Sequence, residues 1–234
     1  MLNYLVKSII FICIIWRSFI VEASDISIAK TPEFQQYNYF KIKAGAIQPT
    51  PLDGNTGLGN GNNTYTAGFT VGRKLDEFLS ADIEYMYRGE NTTQFCTPQT
   101  RGFPTTWTLK SNTIMLNMAL DLMTYSKITP YVRAGAGVSI NQASTYAQYD
   151  TEVLETFYYP GKKTKNFAWQ IGCGINFSSS STFSTELEYM FVNRGTVETQ
   201  PYHTIPFSSA FESDPAIKAN LLDHVITIGL KIKF

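Results

Sequence analysis

Eight stretches of the chain alternate apolar residues with polar or small ones at a period of two, the signature of a half-buried β-strand. The first, Tyr39–Ile47, puts Phe40, Ile42, Ala44 and Ala46 on one face; the second, Tyr65–Arg73, groups Tyr65, Ala67, Phe69 and Val71. The third, Leu79–Tyr87, groups Leu79, Ala81, Ile83, Tyr85 and Tyr87, and the fourth, Thr113–Leu122, groups Ile114, Leu116, Met118, Leu120 and Leu122. The fifth, Pro130–Ile140, aligns Val132, Ala134, Ala136, Val138 and Ile140, and the sixth, Phe167–Phe177, aligns Phe167, Trp169, Ile171, Cys173, Ile175 and Phe177. The seventh, Phe183–Phe191, aligns Phe183, Leu187, Tyr189 and Phe191. The eighth, Leu222–Phe234, carries Leu222, His224, Ile226, Ile228, Leu230, Ile232 and Phe234. Each is close to the length, about 9–11 residues, at which a tilted strand crosses a bilayer.

The connections alternate in length. Arg73–Phe78, Met123–Lys127 and Ser178–Thr182 read as tight turns, whereas Gln48–Thr64, Arg88–Thr108, Asn141–Thr164 and Asn193–Ala219 are long and rich in Gly, Asn, Pro, Thr and Ser. Short links then share one rim and long ones the other. One internal echo stands out, Ala81-Asp82-Ile83-Glu84-Tyr85-Met86 against Thr185-Glu186-Leu187-Glu188-Tyr189-Met190. It fits either an old duplication or two equivalent strands of one sheet.

The composition decides which face is inside. An eight-stranded barrel has a lumen just wide enough for side chains or one small ligand. The large apolar face is too bulky for it, while the opposite face carries Gly45, Gly68, Gly72, Gly135, Gly137, Gly172, Gly174 and Gly229. That second face also holds Lys41, Lys43, Asp82, Glu84, Asp121, Arg133, Glu186, Glu188, Lys231 and Lys233, charges that hydrocarbon does not tolerate. The apolar face therefore points to lipid, and barrel closure satisfies every strand's backbone. The expected architecture is all-β: an eight-stranded antiparallel transmembrane β-barrel with short periplasmic turns and four long external loops.

Charge and hydropathy agree. Lys and Arg total 19, Asp and Glu 19, so the formal net charge is zero and no nucleic-acid surface is expected. Charged residues make up only 16% of the chain and aromatics 14%, and the mean hydropathy of −0.11 is too low for a bundle of membrane helices. Lys7, the apolar run Ser8–Trp16 and Val21-Glu22-Ala23 read as a signal peptide over residues 1–23, with a flexible lead at 24–36 and the barrel at 37–234. Cys13 would leave with that signal; Cys96 falls in a loop and Cys173 on a strand, with no metal-site spacing.

The last strand, Val225-Ile226-Thr227-Ile228-Gly229-Leu230-Lys231-Ile232-Lys233-Phe234, ends in an aromatic residue. With Pro130-Tyr131-Val132-Arg133-Ala134-Gly135-Ala136-Gly137, it resembles the small bacterial outer membrane β-barrel superfamily, which includes the outer membrane protein A transmembrane domain and the opacity-type surface antigens. The resemblance implies insertion in outer-membrane lipid of a Gram-negative bacterium, and a terminal Phe234 read by the barrel-assembly machinery. The first, third, fifth and seventh segments send Lys43, Glu84, Arg133 and Glu188 inward at similar depth, so a lumen salt-bridge network of alternating signs is expected, one that resembles the gate of the outer membrane protein A barrel.

Chemistry is sparse. The histidines are His203, in the fourth long connection, and His224, on the lipid-facing register. The His-x-Ser-Asn element of lipid A deacylases is absent. Asp223 and His224 are adjacent, so they face opposite ways and cannot form the Asp–His pair of outer-membrane proteases. No catalytic, cofactor or metal residues are assigned, and the acids of the echo read as a lumen network before a metal site. The expected role is a surface antigen or adhesin whose loops meet host surface molecules or the environment, with a narrow pore or transporter of small solutes as the alternative. Candidate contacts are the loop aromatics Phe157, Tyr158, Tyr159, Tyr202 and Phe207; the cluster Phe157–Tyr159 is too far from either flanking strand for a membrane girdle, whereas Trp107, near a strand, could belong to one.

Overall fold

A computed structural model describes residues 36–50, 59–95, 105–150, 155–204, 211–213 and 215–234. Among them there is no helix, and the strands are β1 (Tyr37–Pro49), β2 (Gly59–Gly61), β3 (Thr64–Lys74), β4 (Leu79–Phe95), β5 (Thr105–Asp121), β6 (Ile128–Ala143), β7 (Tyr146–Asp150), β8 (Glu155–Tyr159), β9 (Lys163–Ser178), β10 (Phe183–Glu198), β11 (Tyr202–Thr204), β12 (Phe211–Ser213) and β13 (Lys218–Lys233). Eight of these close a barrel in the order β4-β3-β1-β13-β10-β9-β6-β5, with β5 pairing back onto β4 and every neighbour antiparallel. The first and last strands of the barrel meet in this wall. Asn38 and Phe234 exchange backbone hydrogen bonds of 3.0 and 2.9 Å, in register with the β1–β13 ladder.

The apolar faces point out. Ile42, Phe69, Ile83, Leu116, Ile171, Leu187 and Ile228 are all exposed on the barrel's outer wall, where lipid covers them. Tyr65, Tyr87, Phe167, Trp169, Tyr189 and Phe191 lie toward the outer ends of the same faces, and Tyr189 Oη pairs with His224 Nδ1 at 2.7 Å. Inward glycines make room for rings: a Cβ on Gly174 would sit 2.6 Å from the Tyr131 ring, and one on Gly72 2.5 Å from Tyr39.

The short turns are built by their own side chains. Asp76 Oδ1 accepts from the backbone N–H of Leu79 and Phe78 at 2.6 and 2.8 Å, which holds its carboxyl below the ordinary range. Ser180 Oγ does the same for Phe183 at 2.9 Å. Ser126, at φ 56°, turns β5 into β6.

The long connections differ from expectation. Strand structure runs well past Tyr87, back before Thr113, and past Ile140 and Phe191, so β4, β5, β6, β9, β10 and β13 reach 16 or 17 residues. Two register shifts mark the passage, at Arg88/Asn91 in β4 and at Asn193/Thr196 in β10. The second turns on Gly195 at φ 73°, whose N–H is received by Asn193 Oδ1 at 2.7 Å. Above this level β7, β8, β11 and β12 form a separate four-stranded sheet, joining the third and fourth loops through Thr204 and Tyr158.

Candidate functional site

The lumen is packed in layers, and the layers follow from the inward residues of each strand. Nearest the short turns, the echoed segments of β4 and β10 supply all the acids of a charged layer: Asp82, Glu84, Glu186 and Glu188. The cations Lys41 and Lys43 come from β1, Arg133 from β6 and Lys231 from β13, and all eight side chains are buried. β4 faces β10 across the barrel and β1 faces β6, so opposite charges converge on the axis.

The structure brings Lys43, Glu84, Arg133 and Glu188 into direct contact. Lys43 Nζ lies 2.8 Å from Glu84 Oε2 and 2.6 Å from Glu188 Oε2, and Arg133 Nη1 lies 3.0 Å from Glu84 and 3.1 Å from Glu188. Five further residues join the layer beyond the sequence-based quartet. Asp82 meets Arg133 Nη2 at 2.5 Å, Lys41 meets Glu186 at 3.0 Å, and Gln170 Nε2 donates to Glu84 at 2.9 Å and to Asn117 at 2.6 Å. Tyr39 Oη closes the periplasmic side by donating to Asp82 at 2.9 Å. Strand tilt carries these residues to depths that spacing along one strand does not reveal.

One step outward, Ile47, Met115, Ala168, Met190, Val192 and Val225 form a buried apolar layer. Next come Arg88, Arg194 and Asp223, with Ser111, Thr113, Ser139 and Asn141. Arg194 grips Asp223 through Nε at 2.6 Å and Nη2 at 2.8 Å. The outermost layer is apolar again: Trp107, Leu109, Ala143, Tyr146, Tyr159, Val197, Ile217, Ala219 and Leu221, with Phe157 packed against them.

This cap redistributes the loop aromatics. Tyr159 is inside, its ring centroid 6.0 Å from that of Tyr146, so it is not an exposed contact residue. Trp107 is also no girdle residue: it is 0% exposed and Nε1 donates to Ser144 O at 3.1 Å. The alternation of β8 leaves Tyr158 as the outward ring, 39% exposed, while Tyr202 is half-buried. Phe207 lies outside the described residues, as do Cys13, Cys96 and residues 1–35. His203, on β11, is buried against Phe157 and Tyr159 at 4.7 and 5.5 Å between ring centroids, with Glu212 3.6 Å from Nε2. Phe234 ends the chain with an exposed ring, and Cys173 is a free thiol on the lipid face. Among the described residues no group of three or more His, Cys, Asp or Glu could hold a metal ion.

A closed barrel with a lipid-facing apolar band and a polar lumen defines an outer-membrane protein. The chain belongs to the outer membrane protein beta-barrel domain family, which matches residues 26–234, and its place is the outer membrane of a Gram-negative bacterium. It is similar in fold to the outer membrane protein AlkL in DMPC lipid bilayers (12% identity, 90% of this chain and 96% of that one, TM-score 0.51). It is also similar to the outer membrane protein OprG from Pseudomonas aeruginosa (14%, 85% and 97%, TM-score 0.50). Neisserial surface protein A aligns at 14% identity over 86% of this chain and 100% of its own, with a TM-score of 0.49. No curated protein matches the sequence.

Proposed function

We propose that the protein is a surface-exposed, closed-lumen barrel whose third and fourth loops bind a partner outside the cell, a host surface molecule or an environmental one. The observation that carries this reading is the filled lumen. Arg133, Lys43, Glu84 and Glu188 span the bore with direct ion pairs while each is no more than 2% exposed, and the Met115–Met190–Val225 layer backs them. A narrow pore for small solutes would need a continuous polar path, and this apolar layer interrupts it. The joined loops support the same reading, since a sheet shared by two loops offers a rigid surface on which aromatic side chains lose little entropy on binding. Within the proposal, residues 1–23 direct export and the C-terminal strand with Phe234 engages the assembly machinery.

The test replaces Tyr158 and Tyr202 together by Ser and displays the protein on a heterologous bacterium. Adhesion to host cells or matrix should fall at least tenfold, with heat-modifiable migration of the barrel unchanged. Undiminished adhesion by the correctly folded variant would remove these rings from the interface. Loss of adhesion on replacing Ala143–Gly161 or Thr199–Asp214 by short Gly/Ser turns assigns binding to the loops as a whole.

A further inference from the structure

Below the apolar layer the charges of the described residues balance: Lys41, Lys43, Arg133 and Lys231 oppose Asp82, Glu84, Glu186 and Glu188, and buried Lys74 pairs with half-buried Asp121 at 2.7 Å. Each of those cations has a carboxylate within 3.8 Å. Above it they do not. Arg88 and Arg194, 2% and 6% exposed, share one carboxylate among the described residues, that of Asp223. Arg194 takes that carboxylate through two nitrogens at 2.6 and 2.8 Å, and Arg88 Nε comes no closer than 3.7 Å.

The Arg88 guanidinium is therefore a buried cation with half of a shared counter-charge. Its Nη1 donates to Thr113 Oγ1 at 2.7 Å, and its Nε is buried without a hydrogen-bond partner among the described residues. Because Thr113 Oγ1 accepts there, its own proton has no acceptor among those residues and is available to a further one. The next acid along β4, Glu84, lies beyond Met86 and is already held by Lys43, Arg133 and Gln170. The ion pair of Glu90 with Lys110 sits on the outer wall, at 2.5 Å. A buried charge without a full partner is strongly unfavourable, and the guanidinium cannot relieve this by losing a proton.

We propose that a small monovalent inorganic anion, chloride in the natural setting, occupies the upper lumen on Arg88 Nε, with the Thr113 hydroxyl as second donor. It brings this chamber to neutrality, as the four carboxylates do below. The apolar layer beneath separates the two chambers, so the anion enters from the external side or as the barrel closes. A monovalent ion fits because Arg88 and Arg194 against Asp223 leave one positive charge among the described residues of this layer, which a divalent phosphate or sulfate would overcompensate.

The experiment refolds the full chain in detergent micelles in sodium chloride, sodium bromide or sodium gluconate at equal ionic strength and measures the urea midpoint. The wild type should unfold at higher urea in chloride and bromide than in gluconate, with a saturable dependence, and Arg88→Gln should show no difference between the salts. Lys110→Gln, which alters only the outer wall, should keep the wild-type dependence. Equal wild-type midpoints in all three salts, or an unchanged salt difference in Arg88→Gln, would overturn the proposal. Should Arg88→Gln fail to fold, bromide in crystals of the wild type decides it: an anomalous peak within hydrogen-bond reach of Arg88 Nε supports the site, and none there overturns it.

Discussion

The membrane half of the barrel and its external extension are built from the same strands with opposite polarity. In the membrane half β9 turns Phe167, Trp169 and Ile171 outward and Gln170 and Gly172 inward; two residues further out its exposed face is Lys165 and Lys163. β5 shows the complementary change. Inward Asn117 gives way first to Met115, then to Thr113 and Ser111, and finally to Leu109 and Trp107, while its outer face passes from Ile114 to Lys110. The alternation of side chains is continuous, and only the chemistry assigned to each face is exchanged. The solvent decides that exchange. Where lipid surrounds the wall, polar groups must turn inward and satisfy one another; where water surrounds it, the hydrophobic effect again favours an apolar interior. The lower half is therefore held by ion pairs and hydrogen bonds, and the upper half by a small conventional core.

The largest expected effect strikes the lower half. Glu84→Ala leaves both Lys43 and Arg133 short of a carboxylate, and removing one partner of a buried network costs about 3–5 kcal/mol. Glu90→Ala removes only the solvent-screened pair with Lys110 and should barely move the midpoint. Urea midpoints in lipid vesicles compare the two, and equal midpoints would mean that the lower half is not held by its charges. The upper half should break differently. Trp107→Ala removes a wholly buried ring from the cap, a loss of about 3–5 kcal/mol in a well-packed core. Because the cap lies outside the membrane, limited proteolysis should cut the third loop while the barrel stays protected. Simultaneous loss of both would show that the halves are one cooperative unit.

The junction sharpens the contrast. Gly195→Ala forces a Cβ at φ 73° to within 2.5 Å of Asn166 Cβ, a strain of about 1–3 kcal/mol. Loop accessibility to protease should rise with little change in the membrane-protected fragment. The smallest effect concerns the rim. Glu198 sits below its usual value of 4.5, first because Lys162 donates to it at 2.5 Å. A carboxyl lowered in the folded state stabilises above its unfolded pKa, and that contribution disappears as pH falls through the folded value. For so exposed a pair it amounts to a few tenths of a kcal/mol. A carboxyl NMR titration should place Glu198 below 4.5, returning toward 4.5 in Lys162→Gln.

These halves were not equally legible in the sequence. The membrane half could be read because lipid demands an unbroken apolar face, so Ile83, Tyr85 and Tyr87 or Ile226, Ile228 and Leu230 declare both strand and orientation. Its charged lumen was legible for the same reason, since Lys43, Glu84, Arg133 and Glu188 all fall on the opposite face. Which charges touch was less so, because register across the barrel brings Asp82 to Arg133 and Gln170 to Glu84. The extension escaped notice because the amphipathic criterion ends where polarity inverts. Trp107 and Leu109 alternate with Thr108 and Lys110 in the inverted sense, a signal that was present but belongs to a water-facing sheet. The pairing of Thr204 with Tyr158 joins two loops 46 residues apart and has no local signature at all.

A lumen closed by its own side chains is the central feature of this barrel, and planar-bilayer conductance of the refolded full chain tests it directly. The wild type should give no sustained conductance steps, whereas Glu84→Ala combined with Met190→Gly, which opens both the charged and the apolar layers, should give small ones. Stable, ion-conducting steps from the wild-type protein would contradict the closed lumen and return the pore reading to first place.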